Sequence, residues 1–184
     1  MPRGSRILDL GCGNGSFIAN FRQRGWQLHG FDSSESGIEI AKANFDGIHF
    51  FSADVTKESP DFFIEQCGGP VDVVLSTEVI EHVYAPRSFA RLCYAALKPG
   101  GFAIITTPYH GYLKNLALAL AGKMDFHYTA LLDGGHIKFW SKKTLRTLLE
   151  ETGFTSIHFE GSGRVPYLWM SMAAVATRPQ SDSK

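Results

Sequence analysis

The run Ile7-Leu8-Asp9-Leu10-Gly11-Cys12-Gly13-Asn14-Gly15 constrains this chain more than any other stretch of it. It begins as a short apolar strand, passes through three glycines at alternate positions, and enters a segment with Phe17, Ile18 and Phe21 at helical spacing. A strand that feeds a helix through glycines must turn sharply, and the turn can bring backbone N–H groups close to a ligand that a Cβ would obstruct. Asp32 ends the next strand, near the spacing at which a carboxylate accepts both hydroxyls of a ribose. Strand, glycines, helix and carboxylate in register predict an adenosine-containing ligand. The competing reading is a glycine turn that serves structure alone.

Short apolar runs and amphipathic stretches alternate along the first two thirds of the chain, the pattern of βα units around a parallel sheet. Strands are expected at residues 6–10, 27–31, 48–52, 71–76 and 101–106. Helical stripes run through Phe17, Ile18 and Phe21 up to Gly25, and through Ile38, Ala41 and Phe45 behind a Ser34 cap. A third helix carries Phe89, Leu92, Cys93 and Ala96 and stops at Lys98-Pro99-Gly100-Gly101; Ser141 caps a fourth with Leu145, Leu148 and Leu149 facing inward. Residues 155–160 and 167–177 then read as strands joined through Gly161-Ser162-Gly163-Arg164 without a helix, hence an antiparallel hairpin. The expectation is an α/β fold, one Rossmann-like doubly wound sheet of seven strands, mostly parallel with an antiparallel C-terminal hairpin strand. It occupies a single domain over residues 1–180, with a tail at 181–184. Residues 108–140 are too long for a plain connection and read as a cap on the acceptor side of the site.

Lys plus Arg (18) equals Asp plus Glu (18), so no general field favours a polyanion, and nucleic acid is not the expected partner. Cys12, Cys67 and Cys93 lack the spacing of a zinc or dithiol site, which fits a reducing, cytoplasmic setting. Residues 1–6 have no apolar leader character and no run is long enough to span a bilayer; the chain is expected as a soluble monomer or homodimer.

The third glycine decides between adenosine ligands. The dinucleotide pattern G-x-G-x-x-G would need glycine at position 16, where Ser16 stands; the chain has G-x-G-x-G instead. With Asp9 before it, this form resembles the first motif of class I S-adenosylmethionine-dependent methyltransferases. Phe51-Ser52-Ala53-Asp54-Val55 resembles that family's third-strand motif, and the segment from Asp72 to Val83, with Ser76-Thr77-Glu78-Val79-Ile80-Glu81-His82, is similar to the fourth-strand motif of ubiquinone-biosynthesis O-methyltransferases. The resemblance covers residues 5–177 and implies S-adenosylmethionine as methyl donor, with S-adenosylhomocysteine as product. It places Asp9, Gly11, Cys12, Gly13 and Gly15 under the amino-acid portion. It also places Asp32 and Ser33 at the ribose, Asp54 and Val55 at the adenine, and Ser76 and Thr77 beside the methionine part. Asp54 has a second reading, as the cap of the turn before Thr56. Members of the family usually carry one or two helices before the first strand, whereas six residues precede Ile7 here. The lid is then absent, supplied by another subunit, or missing from this sequence.

Methyl transfer requires in-line alignment of a nucleophile with the methyl group, and a hydroxyl acceptor benefits from a base. His82, just past the fourth strand, is the leading candidate, and His110, just past the fifth, is the alternative. Glu78, Glu81 and His82, read as one helical turn, put two carboxylates and an imidazole on one side. With His136 they could hold a divalent cation, as the resemblance suggests for some members; the expectation taken is no metal, with Glu81 or His82 capping backbone. The acceptor is expected to be a small molecule methylated on a hydroxyl oxygen. A silent cofactor-binding domain and RNA 2′-O-methylation are the alternatives. The leucine-rich insertion covers an apolar acceptor, touches a membrane surface, or packs on the sheet edge, the last being the plainest reading.

Overall fold

The computed structural model describes residues 1–128, 130–163 and 165–180. Seven strands form one sheet in the order β3-β2-β1-β4-β5-β7-β6. β1 (Arg6–Leu10), β2 (Gln27–Asp32), β3 (His49–Ser52), β4 (Val71–Thr77) and β5 (Leu97–Pro108) are parallel, while β7 (Ser171–Thr177) lies antiparallel between β5 and β6 (Thr155–Ser162). The doubly wound sheet and its antiparallel hairpin match the expectation. Helices α1 (Glu35–Asn44), α2 (Pro60–Gln66), α3 (Pro86–Ala96), α4 (Tyr112–Leu120), α5 (Met124–Tyr128) and α6 (Lys142–Thr152) complete the fold.

Because β1 is central, its residues are buried on both faces. Leu8 and Leu10 join Phe31, Phe63, Phe89, Ile105 and Leu145 in one core, and Ile7 joins Ile18, Leu28, Ile38 and Phe50 in the other. Full burial of each such side chain contributes roughly 1.5–3 kcal/mol, so the two cores fix the level at which the carboxyl ends of β1, β2 and β4 stand. Caps set the helix starts: Ser34 accepts from Gly37 N at 3.1 Å, and Ser141 and Thr144 form a reciprocal capping box.

Three local readings need correction. The stripe at Phe17–Phe21 is a 3-10 segment, Ile18–Arg24, closed by left-handed Gly25. α2 was not anticipated, because Phe62-Phe63-Ile64 are consecutive and only Phe63 is buried, which leaves no helical stripe to see. The last strand begins at Ser171 and not at residue 167: Tyr167 has φ 64°, and Leu168 N turns back to Val165 O, so the aromatic run is a turn. Arg164 and residues 181–184, assigned above to the hairpin connection and the tail, lie outside the described residues. Among the described residues, no helix is long and apolar enough to cross a membrane.

Candidate active site

The carboxyl ends of β1 to β4 converge on a cleft of about 190 Å³. Gly11, Asp32, Ser33, Asp54 and Val55, named from the sequence, line it together with Ala53, Glu78, Val79 and His82. Each glycine of the loop is left-handed, with φ 80° at Gly11, 54° at Gly13 and 76° at Gly15. A Cβ at Gly11 would stand 2.3 Å from Val79 Cγ2, and one at Gly15 would stand 2.6 Å from the Phe50 ring; one at Gly13 would meet nothing within 4 Å. Gly11 and Gly15 therefore let the loop pack, and Gly13 clears space beside the cleft.

Four of the loop's N–H donors are already used. Gly11 N and Cys12 N both donate to Phe31 O (2.8 and 3.0 Å), Gly15 N donates to Cys12 O (2.9 Å), and Gly13 N donates to Asp32 Oδ2 (2.7 Å). The expectation that these N–H groups point at a ligand is corrected: the glycines supply room, and the cleft is polar through carboxylates. Asp32 also accepts from Ser34 N at Oδ1 (2.8 Å), which holds its carboxylate square to the cleft with one lone pair per oxygen to spare. Asp54 accepts from Thr56 N and Thr56 Oγ1 (2.9 and 2.6 Å) and pairs with Lys57 at 3.0 Å, and the Thr56 hydroxyl chiefly keeps its pKa low. Asp9 is 2% exposed, and burial first, then the Asp32 charge, pushes its pKa up to about 7. Cys12 turns its sulfur into the core against Gly30, where burial raises the thiol pKa. Ser76 is fully buried and its Oγ has no partner among the described residues; Thr77 ends β4 half-buried.

Glu78 is the one non-glycine at the cleft in the left-handed region, φ 55°. That backbone breaks the helical turn expected over Glu78–His82; only Ile80–His82 is helical, as one 3-10 turn. The Glu78 carboxylate accepts from Thr106 Oγ1 (2.9 Å) and Ser171 Oγ (2.8 Å). Glu81 points inward instead. It is fully buried, neither oxygen has a hydrogen-bond partner among the described residues, and burial above all, with the Glu78 charge adding to it, pushes its pKa up to about 7.

A second cavity, about 420 Å³, shares His82 with the first; Tyr84, Tyr128, Ala130, Leu132 and residues 133–137 complete its lining. Its far wall is tied to the sheet by long-range bonds: Glu81 O accepts from Ile137 N and Lys138 N (2.9 Å each), and Trp140 Nε1 donates to Ile80 O (3.4 Å). His136 is thereby brought to His82, with ring centroids 4.9 Å apart, and its Nε2 lies 4.0 Å from Glu81 Oε1. One donor atom from each of Glu81, His82 and His136 falls within 4.8 Å of the others. Partial burial and the neighbouring His82 hold the His136 pKa below the ordinary imidazole range. His110 is walled in by the rings of His127, Tyr128 and Phe139 and does not line this cavity; burial lowers its pKa to about 4.

A doubly wound sheet with glycines after β1 and a carboxylate closing β2, ending in an antiparallel β7, defines the class I S-adenosylmethionine-dependent methyltransferase architecture. The family model described as a methyltransferase domain matches residues 1–158, and the chain belongs to that family. It is 37% identical over 121 residues to a ubiquinone biosynthesis O-methyltransferase of Caulobacter sp. (strain K31), covering 65% of this chain and 46% of that protein. It is 31% identical over 170 residues to the protein of the same name from Ruegeria pomeroyi, covering 90% of this chain and 66% of that one. The chain thus spans about half to two thirds of the length of these relatives. An S-adenosylmethionine-dependent methyltransferase structure from Mesorhizobium loti superposes with TM-score 0.73 at 25% identity, covering 97% of this chain and 94% of the other.

Proposed function

We propose that the chain binds S-adenosylmethionine in the first cleft and methylates a hydroxyl oxygen of a small molecule held in the second. The observation that carries this is the junction of the two cavities at His82. The first cleft is lined by Asp32, Asp54 and Glu78 and by no lysine or arginine, which suits a cationic sulfonium and repels a pyrophosphate. The spent glycine-loop donors disfavour a phosphate ligand in the same way.

When bound, the cofactor supplies an electrophilic methyl group. Asp32 would hold the ribose hydroxyls, with Asp54 and Val55 at the base. Asp32, Asp54 and Glu78 at the cleft set the negative field in which a positive ligand is favoured, and Asp9 stands buried behind the loop. His82 then receives the acceptor's proton as its oxygen attacks, and the walls from Tyr84 to Ile137 keep bulk water from competing. The relatives' name supports oxygen as the acceptor atom. The segment 108–140 serves as the acceptor-side cap. Calorimetry with S-adenosylhomocysteine, followed by turnover against phenols, catechols and RNA termini, tests this. Methylation of a phenolic hydroxyl that falls at least 100-fold in His82→Ala is expected, in line with removal of a general base. Cofactor binding with no turnover of any acceptor overturns the enzyme reading in favour of a silent binding domain.

A divalent cation on Glu81, His82 and His136 is a second reading, supported by the two unpartnered oxygens of buried Glu81. The oxygen and imidazole donors fit such an ion, which would polarise the acceptor hydroxyl. Turnover that a chelator abolishes and added metal restores selects it over His82 acting as base.

A further inference from the structure

β6 forms one edge of the sheet, and part of it lies beside a row of cations. At the two ends of β7, Arg178 N donates to Gly101 O and Met170 O accepts from Tyr109 N, so even-numbered residues of this strand turn their backbone to β5 and odd-numbered ones to β6. With His158 opposite Val175 and Glu160 opposite Ala173, the backbone of His158 and Glu160 is paired inward, and that of Ile157, Phe159 and Gly161 faces outward. Arg146 Nη2 donates to Ile157 O at 3.0 Å, whereas Phe159 and Gly161 meet no further strand among the described residues. Each of these two leaves an amide donor and a carbonyl acceptor on an edge that another chain can extend.

The cations stand at these same two positions. A cleft of about 490 Å³ runs between α6 and this edge, lined by Lys142, Lys143, Arg146, Ile157, His158 and Phe159, with no carboxylate in its lining. The Arg146 guanidinium lies over the Phe159 ring (5.3 Å), and Lys142 Nζ lies over the Trp169 ring (4.3 Å), which in turn covers Gly161. Both cations are half-buried, so they are held in place before a partner arrives and lose less side-chain freedom on binding than solvated ones would. The nearby acids leave the cleft positive. Glu150 offsets part of the Arg146 charge at 3.6 Å, Glu151 pairs with Arg87 at 2.9 Å, and Glu160 sits on the opposite face of β6 from Phe159. Lys142 and Lys143 pair with no carboxylate among the described residues.

We propose that β6 receives an extended acidic segment of a partner protein, which adds a strand to this edge of the sheet. Its backbone bonds to Phe159 and Gly161. Its carboxylates recur at every second residue on the α6 side, where the alternation of a strand sets them in register with Arg146 and Lys142. A second copy of this chain is disfavoured, because β6 paired to β6 brings two rows of cations together. A single-stranded nucleic acid is disfavoured too: the rings on which bases would stack, Phe159 and Trp169, are already covered by Arg146 and Lys142.

Fluorescence anisotropy of the whole chain with a labelled peptide of alternating glutamate and valine tests this. The peptide is expected to bind, and its glutamine and valine counterpart at least about tenfold more weakly, as for loss of charge-assisted pairs. The glutamate peptide methylated on its backbone nitrogens keeps the charge but loses the donors a strand needs, and should also bind at least about tenfold more weakly. Lys142→Glu with Lys143→Glu is expected to weaken binding of the glutamate peptide about 30-fold and, because acids suit a helix N-terminus, to leave the thermal melt intact. Lys42→Glu on α1 should leave the affinity unchanged. No binding up to about 1 mM peptide overturns the proposal and leaves the lysines as guards against edge-to-edge pairing. Equal binding of the methylated peptide overturns it in favour of a plain anion patch. A single-stranded oligouridine that binds more tightly than the peptide, and loses affinity in the same lysine variant, assigns the surface to nucleic acid and overturns it. So does a wild-type dimer in light scattering that the peptide dissociates, which assigns the edge to a second copy.

Discussion

The two cavities that meet at His82 are built by opposite means. The cofactor cleft is shaped by backbone: left-handed glycines, an internally bonded loop, and an Asp32 carboxylate pinned by two main-chain amides. The acceptor cavity is assembled by side chains from elements far apart in sequence. Beside it lies a buried carboxylate, Glu81, with no hydrogen-bond partner for either oxygen among the described residues and His136 4.0 Å from one of them. A site made of backbone is stable on its own where its loop donors, at Gly11, Cys12, Gly13 and Gly15, are satisfied before a ligand arrives. A site made of unpaired buried polar groups holds free energy that only a substrate, a proton or an ion can release.

The largest effect should follow from breaking the backbone half. Gly11→Ala drives a methyl group into Val79 at a left-handed position and is expected to cost roughly 3 kcal/mol in urea unfolding. A loss under about 1 kcal/mol would mean the loop yields easily and is not preorganised. Asp32→Ala removes the anchor of Gly13 and Ser34 together with the ribose contact. Affinity for S-adenosylhomocysteine should drop about 100-fold by calorimetry, as for loss of charge-assisted hydrogen bonds; a change within threefold would place the nucleoside elsewhere.

The acceptor half should respond with the opposite sign. Glu81 has a pKa raised from 4.5 to about 7, so across that window the folded chain retains a proton that the unfolded chain has released. Stability from this group therefore falls as pH rises through that window. Glu81→Gln, with a chelator present, is expected to add about 1–2 kcal/mol at pH 8 and nothing at pH 4, while turnover is lost. Reduced stability at pH 8 would show that Glu81 has a partner in the folded chain.

The smallest effect sharpens the contrast from the cofactor side. His29 is buried on β2, stacked on His49 at 5.2 Å, and burial lowers its pKa from 6.5 to about 4. Between those values the unfolded chain holds the extra proton, so stability is lost as pH falls. His29→Leu should recover about 1 kcal/mol at pH 5 and change nothing at pH 8, a difference readable in paired thermal melts.

The same contrast explains what the sequence could show. β1, the glycine loop and Asp32 were legible because a local pattern of strand, turn and spacing dictates them, and the internal hydrogen bonds that correct the role of the loop N–H groups are invisible without coordinates. α2 was not legible, because with Phe63 alone buried there was no stripe to show it, and its Ser59 cap is apparent only in the folded chain. On the acceptor side, His136 was named from resemblance, yet its approach to His82 depends on Glu81 O gripping Ile137 and Lys138 across more than fifty residues. Glu78 reads as a cluster member in any helical projection; its left-handed backbone carries its carboxylate toward Thr106 and Ser171.

β7 lies between β5 and β6, so the order of synthesis and the order of neighbours disagree. On a ribosome β6 emerges with nothing to pair to, and the edge of β5 stays open until residues 171–177 arrive to fill the gap. Nascent chains stalled before Ser171 should accordingly be far more sensitive to protease than chains stalled well beyond Thr177, making this strand the step at which assembly becomes all-or-none.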